Sequence, residues 1–97
     1  TFTEGFFDEC TYMVEGKQTG EVSLLDTQGN AYVTVKFDTP LFAVWSPERK
    51  NAPFVCIEPW YGRCDATDFA GTLQERDYEN MLPQGEAFHA TYSIAYL

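Results

Sequence analysis

The stretch that decides the fold is FVCIEPWYG, Phe54 to Gly62. It is a short apolar run followed by turn-forming residues, which predicts a strand of the core. Successive side chains of a strand point to opposite faces, so Glu58 shares one face with Phe54 and Cys56. Pro59 biases the residue before it toward extended backbone and predicts the end of the strand ladder.

Glu58 is the one charged residue in this run. A carboxylate in apolar surroundings is costly to bury unless something uses or satisfies it. Burial raises the pKa of a carboxyl group, and a raised pKa suits a general base working near neutral pH. We therefore predict that Glu58 is buried and lines a cleft. The structural alternative is a glutamate that caps a neighbouring loop or pairs with an arginine.

Composition bounds the class of protein. The 97 residues suffice for one small domain, and 44% hydrophobic residues can build a core. The net charge of −9 argues against a nucleic-acid partner, which requires clustered positive charge. We expect no membrane partner, because no apolar run is long enough to span a bilayer and no signal peptide is present. The start at Thr1 instead of Met indicates a processed, proteolysed or partial chain.

The three cysteines are an odd number without metal-type spacing. Cys56 lies in the predicted core strand, where a free thiol behaves as a small hydrophobe. This favours a reducing, cytoplasmic setting. A disulfide between Cys56 and Cys64 is the alternative.

The chain has a β pattern nearly throughout. Six or so strands separated by turns predict an all-β fold, an antiparallel sandwich. An irregular part from Arg63 to Gln84 holds at most one helical turn, near Thr72 to Arg76. Several strands are apolar on both faces. A chain of 97 residues cannot cover so many apolar strand faces, which suggests that further layers of the fold are missing. The predicted strands and strand pieces are 6–7, 11–14, 21–25, 31–37, 41–45, 54–58 and 86–97.

Five segments together resemble one known family. They are PFVCIEPWYG (Pro53 to Gly62), FAVWS (Phe42 to Ser46), LPQGE (Leu82 to Glu86), DTP (Asp38 to Pro40) and the final strand Phe88 to Tyr96. Their order and spacing resemble the C-terminal part of the aldose 1-epimerase, or galactose mutarotase, family. The Ile-Glu-Pro-Trp core is a fairly specific motif, and the resemblance runs from about Gly5 to the end.

The resemblance implies a fold larger than this chain, an antiparallel β-supersandwich of which residues 1–97 form the C-terminal segment. It also implies a reaction, the interconversion of the α and β anomers of an aldose. A general base removes the proton of the C1 hydroxyl and a general acid protonates the ring oxygen, so that the ring opens and closes on the other face. Glu58 matches the base of the motif.

The acid of the family is a histidine, and the only histidine here does not match its motif. His89 lies after Glu86 in the predicted last strand. We predict that it is an ordinary strand residue and that the acid lies before Thr1. This segment alone is then expected to be inactive, with no cofactor or metal and with a small-molecule sugar as ligand.

Three aromatic residues are candidate substrate contacts. Trp60 and Trp45 could form an aromatic wall against the apolar face of a pyranose, and Tyr61 lies beside Trp60. A core position is the alternative for each, favoured for Trp45. Arg63 and Asp65 could touch a sugar hydroxyl or each other, although surface pairs of this kind contribute little.

Other functions stay open at this stage. The chain could be a sandwich that binds a sugar without converting it, or a fragment with an incomplete site. A hexose-6-phosphate mutarotase would need arginine or lysine near the pocket, and only Arg63 is close in sequence. The remaining partner expected is the rest of its own domain, or self-association through uncovered faces and edges.

Overall fold

The computed structural model describes all residues, 1–97, and is all-β. Its only helical element is a single 3₁₀ turn at Leu73–Glu75, which confirms the predicted turn in the irregular part. The backbone N–H of Thr72 donates to the Glu75 carboxylate at 2.7 Å and so begins that turn. The six strands are β1 (Tyr12–Glu15), β2 (Glu21–Leu25), β3 (Ala31–Phe37), β4 (Leu41–Trp45), β5 (Cys56–Trp60) and β6 (Tyr92–Tyr96).

The strands form two antiparallel sheets of three strands each. The first sheet has the order β1-β4-β5 and the second has the order β2-β3-β6. The chain passes from the second sheet to the first at residues 38–40, between β3 and β4. Four strands are therefore edges: β1, β5, β2 and β6.

One apolar cluster joins the two sheets. Val35 and Phe37 of β3 contact Phe42 of β4, and all three are at most 7% exposed. The rings of Phe37 and Phe42 lie 5.4 Å apart. Partly buried hydrophobic residues of both sheets surround the cluster: Val14, Val22, Val33, Val44 and Ile57.

The strand β4 is buried on both faces, as its continuous apolar run predicts. Phe42 points into the cluster between the sheets, whereas Leu41 and Ala43 point to the opposite side and are 1% and 0% exposed. This strand is central in the first sheet, so both of its neighbours shield it. It anchors β5 in a fixed register, with Ala43 opposite Glu58 and Leu41 opposite Trp60.

The prediction that Pro59 ends the ladder is wrong. The strand β5 continues to Trp60, and Pro59 itself is opposite Phe42. The physical reason is that β5 is an edge strand, where alternate backbone N–H groups need no partner and proline is tolerated. The start also differs, because Phe54 and Val55 precede the strand.

Two other predicted strands need correction. Residues 6–7 lie in a turn, in which the N–H of Phe6 donates to the carbonyl of Thr3. The last strand is shorter than 86–97, since β6 begins only at Tyr92. Residues before Tyr92 have no partner strand, because β3 ends opposite it at Phe37. The three cysteines are free, so the alternative disulfide is not formed.

Much apolar surface stays uncovered. The radius of gyration is 16.2 Å, against about 12.5 Å expected for a compact domain of this length. Every residue of β6 is exposed, although Tyr92, Ile94 and Tyr96 are opposite the core residues of β3. The second sheet therefore extends beyond the part that the first sheet covers. No helix in the structure has the length and apolarity needed to cross a membrane.

Candidate functional site

One face of the first sheet carries most of the predicted site residues. Residues opposite one another in register share a face, as do alternate residues along a strand. The register therefore assigns Glu58, Trp60 and Trp45 to the side of the first sheet that is turned away from the second. We call this side the Glu58 face; it carries Met13, Glu15, Leu41, Ala43, Trp45, Cys56, Glu58 and Trp60.

Glu58 lies at the middle of β5 and is half-buried, not buried as predicted. Its flank is open because β5 is an edge strand. The four principal surface cavities lie elsewhere, so the predicted cleft at Glu58 is also not found among them. No arginine or lysine pairs with Glu58; its partner is an indole.

The indole of Trp60 donates from Nε1 to Oε2 of Glu58 at 3.2 Å. The two residues are alternate members of the same strand, so their side chains project side by side. This bond occupies one carboxylate oxygen and leaves Oε1 without a partner in the chain. A free carboxylate oxygen beside an aromatic ring can accept a proton or a hydroxyl hydrogen bond from a ligand.

Trp45 lies on the same face, on the other side of Glu58. It is opposite Cys56, four residues before Trp60 along β5, which separates the two tryptophans by about 13 Å along the strand direction. Trp45 is half-buried and its ring lies 6.5 Å from that of Phe54. Glu58 is therefore bracketed by two indoles, of which only that of Trp60 touches it.

Tyr61 is not brought to Glu58. It follows the end of β5 and packs edge-on against Phe88, with ring centroids 5.0 Å apart at 87°. Its carbonyl accepts a hydrogen bond from the side-chain amide of Asn80 at 3.0 Å. These contacts tie the chain after β5 to the segment before β6, which is a structural role.

His89 lies in the exposed segment before β6, outside both sheets. The description of His89 as a strand residue is therefore wrong, because no strand extends there. It forms no hydrogen bond or ion pair, and β6 belongs to the second sheet while Glu58 belongs to the first. The structure does not bring His89 and Glu58 together on one face.

Arg63 forms contacts that the sequence did not predict. Its Nε donates to the carboxylate of Glu15, and its Nη2 donates to that of Asp77 at 3.0 Å. The guanidinium also lies over the ring of Tyr78, 5.4 Å from the centroid. The side chain is only 15% exposed, and the two carboxylates raise the pKa of the Arg63 guanidinium above its ordinary value.

The Arg63 contacts fasten the irregular segment to the Glu58 face. On this face Glu15 is opposite Leu41, and Leu41 is opposite Trp60. The ion pair between Glu15 and Arg63 therefore lies in the same cross-strand row as the Trp60 indole. Glu15 and Arg63 are 48 residues apart, and no local pattern signals such a pair. Tyr78 adopts a left-handed backbone with φ of 58°, which is uncommon for a residue with a large side chain.

Arg63 and Asp65, for which contact with each other was one alternative, do not pair. Asp65 instead accepts from Nε of Arg76 at 2.6 Å, and Arg76 also lies 3.6 Å from Glu79. Each arginine of this loop is thus flanked by two carboxylates. No cluster of three or more histidine, cysteine, aspartate or glutamate residues is arranged to hold a metal ion.

The largest of these four cavities, about 830 Å³, lies at another part of the molecule. It is formed by residues 2–8, by Leu24 of β2 and Tyr32 of β3, and by the loop between β4 and β5. A smaller cavity of about 470 Å³ includes Trp45, with Cys10 and Lys50. Neither cavity includes Glu58 or Trp60.

No protein-family model, curated protein or solved structure matches this chain.

Proposed function

We propose that the protein is an aldose 1-epimerase-like carbohydrate isomerase, with Glu58 as the general base. The observation that carries the proposal is the pair formed by Glu58 and Trp60. One oxygen of the carboxylate is held by the indole and the other is free, in a half-buried side chain on an edge strand. The motif that contains both residues is also the part of the sequence that most resembles the family.

The proposed chemistry begins at the free oxygen of Glu58. Oε1 accepts the proton of the C1 hydroxyl, the ring opens, and the aldehyde recloses on either face. The Trp60 indole holds the second oxygen, which orients the carboxylate and presents an apolar ring beside the sugar. The general acid that protonates the ring oxygen comes from residues other than His89.

The fold proposed for the whole protein is a galactose-mutarotase-like β-sandwich, of which residues 1–97 form the C-terminal segment. Two antiparallel sheets that meet at Val35, Phe37 and Phe42 support this proposal. A cytoplasmic setting and a neutral sugar ligand belong to the same proposal.

The first alternative is a sandwich that binds a sugar without converting it. A half-buried carboxylate and two indoles on one face would serve binding as well as catalysis. The second alternative is a hexose-6-phosphate mutarotase. The side chain of Arg63 disfavours it, because both Glu15 and Asp77 already neutralise that guanidinium.

The test is the substitution Glu58→Gln in the complete protein. It keeps the size of the side chain and an oxygen for the indole, but removes the base. We expect the rate of anomer exchange, followed in a polarimeter, to fall by about a hundredfold or more. Sugar binding should change little.

The matched control is Glu48→Gln, which removes a carboxylate from the exposed loop between β4 and β5. It should leave the rate unchanged. An unchanged rate for Glu58→Gln would exclude Glu58 as the base. A wild-type protein that binds sugars without accelerating their exchange would favour the binding-module alternative.

A further inference from the structure

The four sheet edges of this molecule differ in how they are protected. Unpaired edge strands attract other strands, and proteins block them with charged side chains and proline. Three edges carry such residues: Glu15 in β1, Glu21 in β2, and Glu58 with Pro59 in β5. The fourth edge, β6, has the sequence YSIAY and carries none.

The free side of β6 can be identified from its ladder with β3. The N–H of Leu97 donates to the carbonyl of Tyr32 at 2.9 Å, so the backbone groups of Leu97 point toward β3. Because these directions alternate along a strand, the N–H and C=O groups of Tyr92, Ile94 and Tyr96 point away from the sheet. They form a row of unpaired donors and acceptors.

The same three residues also form an apolar face. They are opposite Phe37, Val35 and Val33 in register, on the side of the second sheet that bears the core. Yet Tyr92, Ile94 and Tyr96 are 63%, 62% and 82% exposed. In β6, the outward backbone groups and the apolar side chains therefore both lack a partner.

The outward residues of β6, Tyr92, Ile94 and Tyr96, have the same order in both directions, so a second copy of the chain complements this edge about a two-fold axis, and charge opposes such a contact less here than elsewhere. The molecule carries a net charge of −9, which makes two copies repel one another in most orientations. The segment from Ala87 to Leu97 contains no aspartate, glutamate, lysine or arginine. Two copies that meet at β6 therefore bring together the least charged part of the surface.

We propose that two copies of this chain associate through their β6 edges, in an antiparallel pair centred on Ile94. The two-fold axis places Ile94 opposite its equivalent, and each Tyr92 opposite the Tyr96 of the other copy. The outward backbone groups then form about six hydrogen bonds, and the tyrosines form cross-strand aromatic pairs. The two second sheets join into one six-stranded sheet with a continuous apolar face.

The exposed side chains of β6 supply on the order of 400 Å² per copy. A standard stable interface buries about 800 Å² per partner. The dimer therefore belongs to the weak and reversible class of interfaces, which bury less than about 1,200 Å² in total. This interface goes beyond the proposed sugar chemistry and does not depend on it.

The test is sedimentation equilibrium of the 97-residue chain over a range of concentrations, with Ile94→Pro as the critical variant. Proline removes an N–H that points away from β3, a change that an edge strand tolerates. The pairing with β3 is kept, and dimerisation should weaken about tenfold or more. Ile94→Val, which keeps the N–H, is the matched control and should dimerise like wild type.

A second variant covers the case in which Ile94→Pro does not fold. Tyr96→Lys adds an edge lysine at a residue that is 82% exposed, so the core is not altered. It should also yield monomers, with an unchanged circular dichroism spectrum. A wild-type chain that stays monomeric up to a concentration of about 1 mM would overturn the proposal. Association that persists equally in folded Ile94→Pro or Tyr96→Lys would overturn it too.

Discussion

Glu58 and Trp60 are held at the Glu58 face by their places in one strand. Their side chains project together because they are alternate residues, and their register is set by Ala43 and Leu41 of the buried neighbour β4. The indole occupies one carboxylate oxygen only. The carboxylate of Glu58 is thus positioned by backbone pairing more than by a network of side chains.

Substitution of His89 tests the assignment of the acid at the same scale. In the complete protein, we expect His89→Ala to keep the rate of anomer exchange near wild type. The imidazole is exposed and has no partner, and it lies before a strand of the other sheet. The measurement is polarimetry at several pH values. A loss of about a hundredfold, the scale of a general acid, would show that His89 takes part.

At the scale of elements, the strands whose signals are local were predicted with their observed bounds. Residues 21–25 and 31–37 alternate around a turn-rich loop, and 41–45 are a short apolar run, so neighbouring residues determine all three. The Asp26 carboxylate fixes the loop by accepting from the backbone N–H groups of Gln28 and Asn30, each at 2.8 Å.

The strand ends that were predicted wrongly depend on distant partners. The pattern of residues 86–91 is strand-like, but β3 ends at Phe37 and offers nothing opposite them. Phe54 likewise precedes β5, because β4 ends at Trp45 and a side-chain bond from Ser46 reaches the Phe54 carbonyl instead. The sequence of one strand does not indicate the length of the strand that pairs with it.

The candidate site was likewise predictable from the sequence only in part. Alternation along β5 places Glu58 and Trp60 together, and that much follows from the sequence. The ion pair of Arg63 with Glu15 joins residues far apart in the chain and could not be predicted. The open flank of Glu58 also could not, since it follows from the edge position of β5.

The strand β4 should be the most sensitive element. Leu41 is 1% exposed and lies between Glu15 and Trp60 in one row of the Glu58 face. We expect Leu41→Ala to lower the free energy of unfolding by about 3 kcal/mol, through lost burial and the cavity left behind. Urea unfolding followed by circular dichroism measures it.

The matched control is Leu25→Ala at the end of β2, where the side chain is 59% exposed. That substitution should cost less than about 1 kcal/mol. Equal losses for the two variants would contradict the burial that the structure assigns to β4.

At the scale of the whole molecule, the chain is extended and leaves apolar strands uncovered. Its axes measure 49 × 31 × 21 Å, and only seven residues are buried. A core of this size provides little stabilisation for a domain of 97 residues. Burial of β6 against another polypeptide surface would increase this stabilisation.

The isolated chain should not catalyse anomer exchange. Its proposed base is Glu58, but its single histidine is remote from the Glu58 face. We expect the rate in its presence to equal the rate in buffer alone. Acceleration that grows with chain concentration, and disappears in Glu58→Gln, would mean that both catalytic groups lie within these residues.

A titration of the ¹⁵N-labelled chain with aldoses tests whether Glu58 and Trp60 form a sugar site. The two tryptophans give two indole N–H signals in a proton–nitrogen correlation spectrum, and Trp45→Phe assigns that of Trp60. Because this N–H donates to Glu58, a sugar bound at the carboxylate must perturb it. We expect a saturable shift of the Trp60 signal, which persists in Glu58→Gln because that substitution leaves sugar binding largely intact. A Trp60 signal that does not move at any sugar concentration would exclude a sugar site at Glu58 and Trp60.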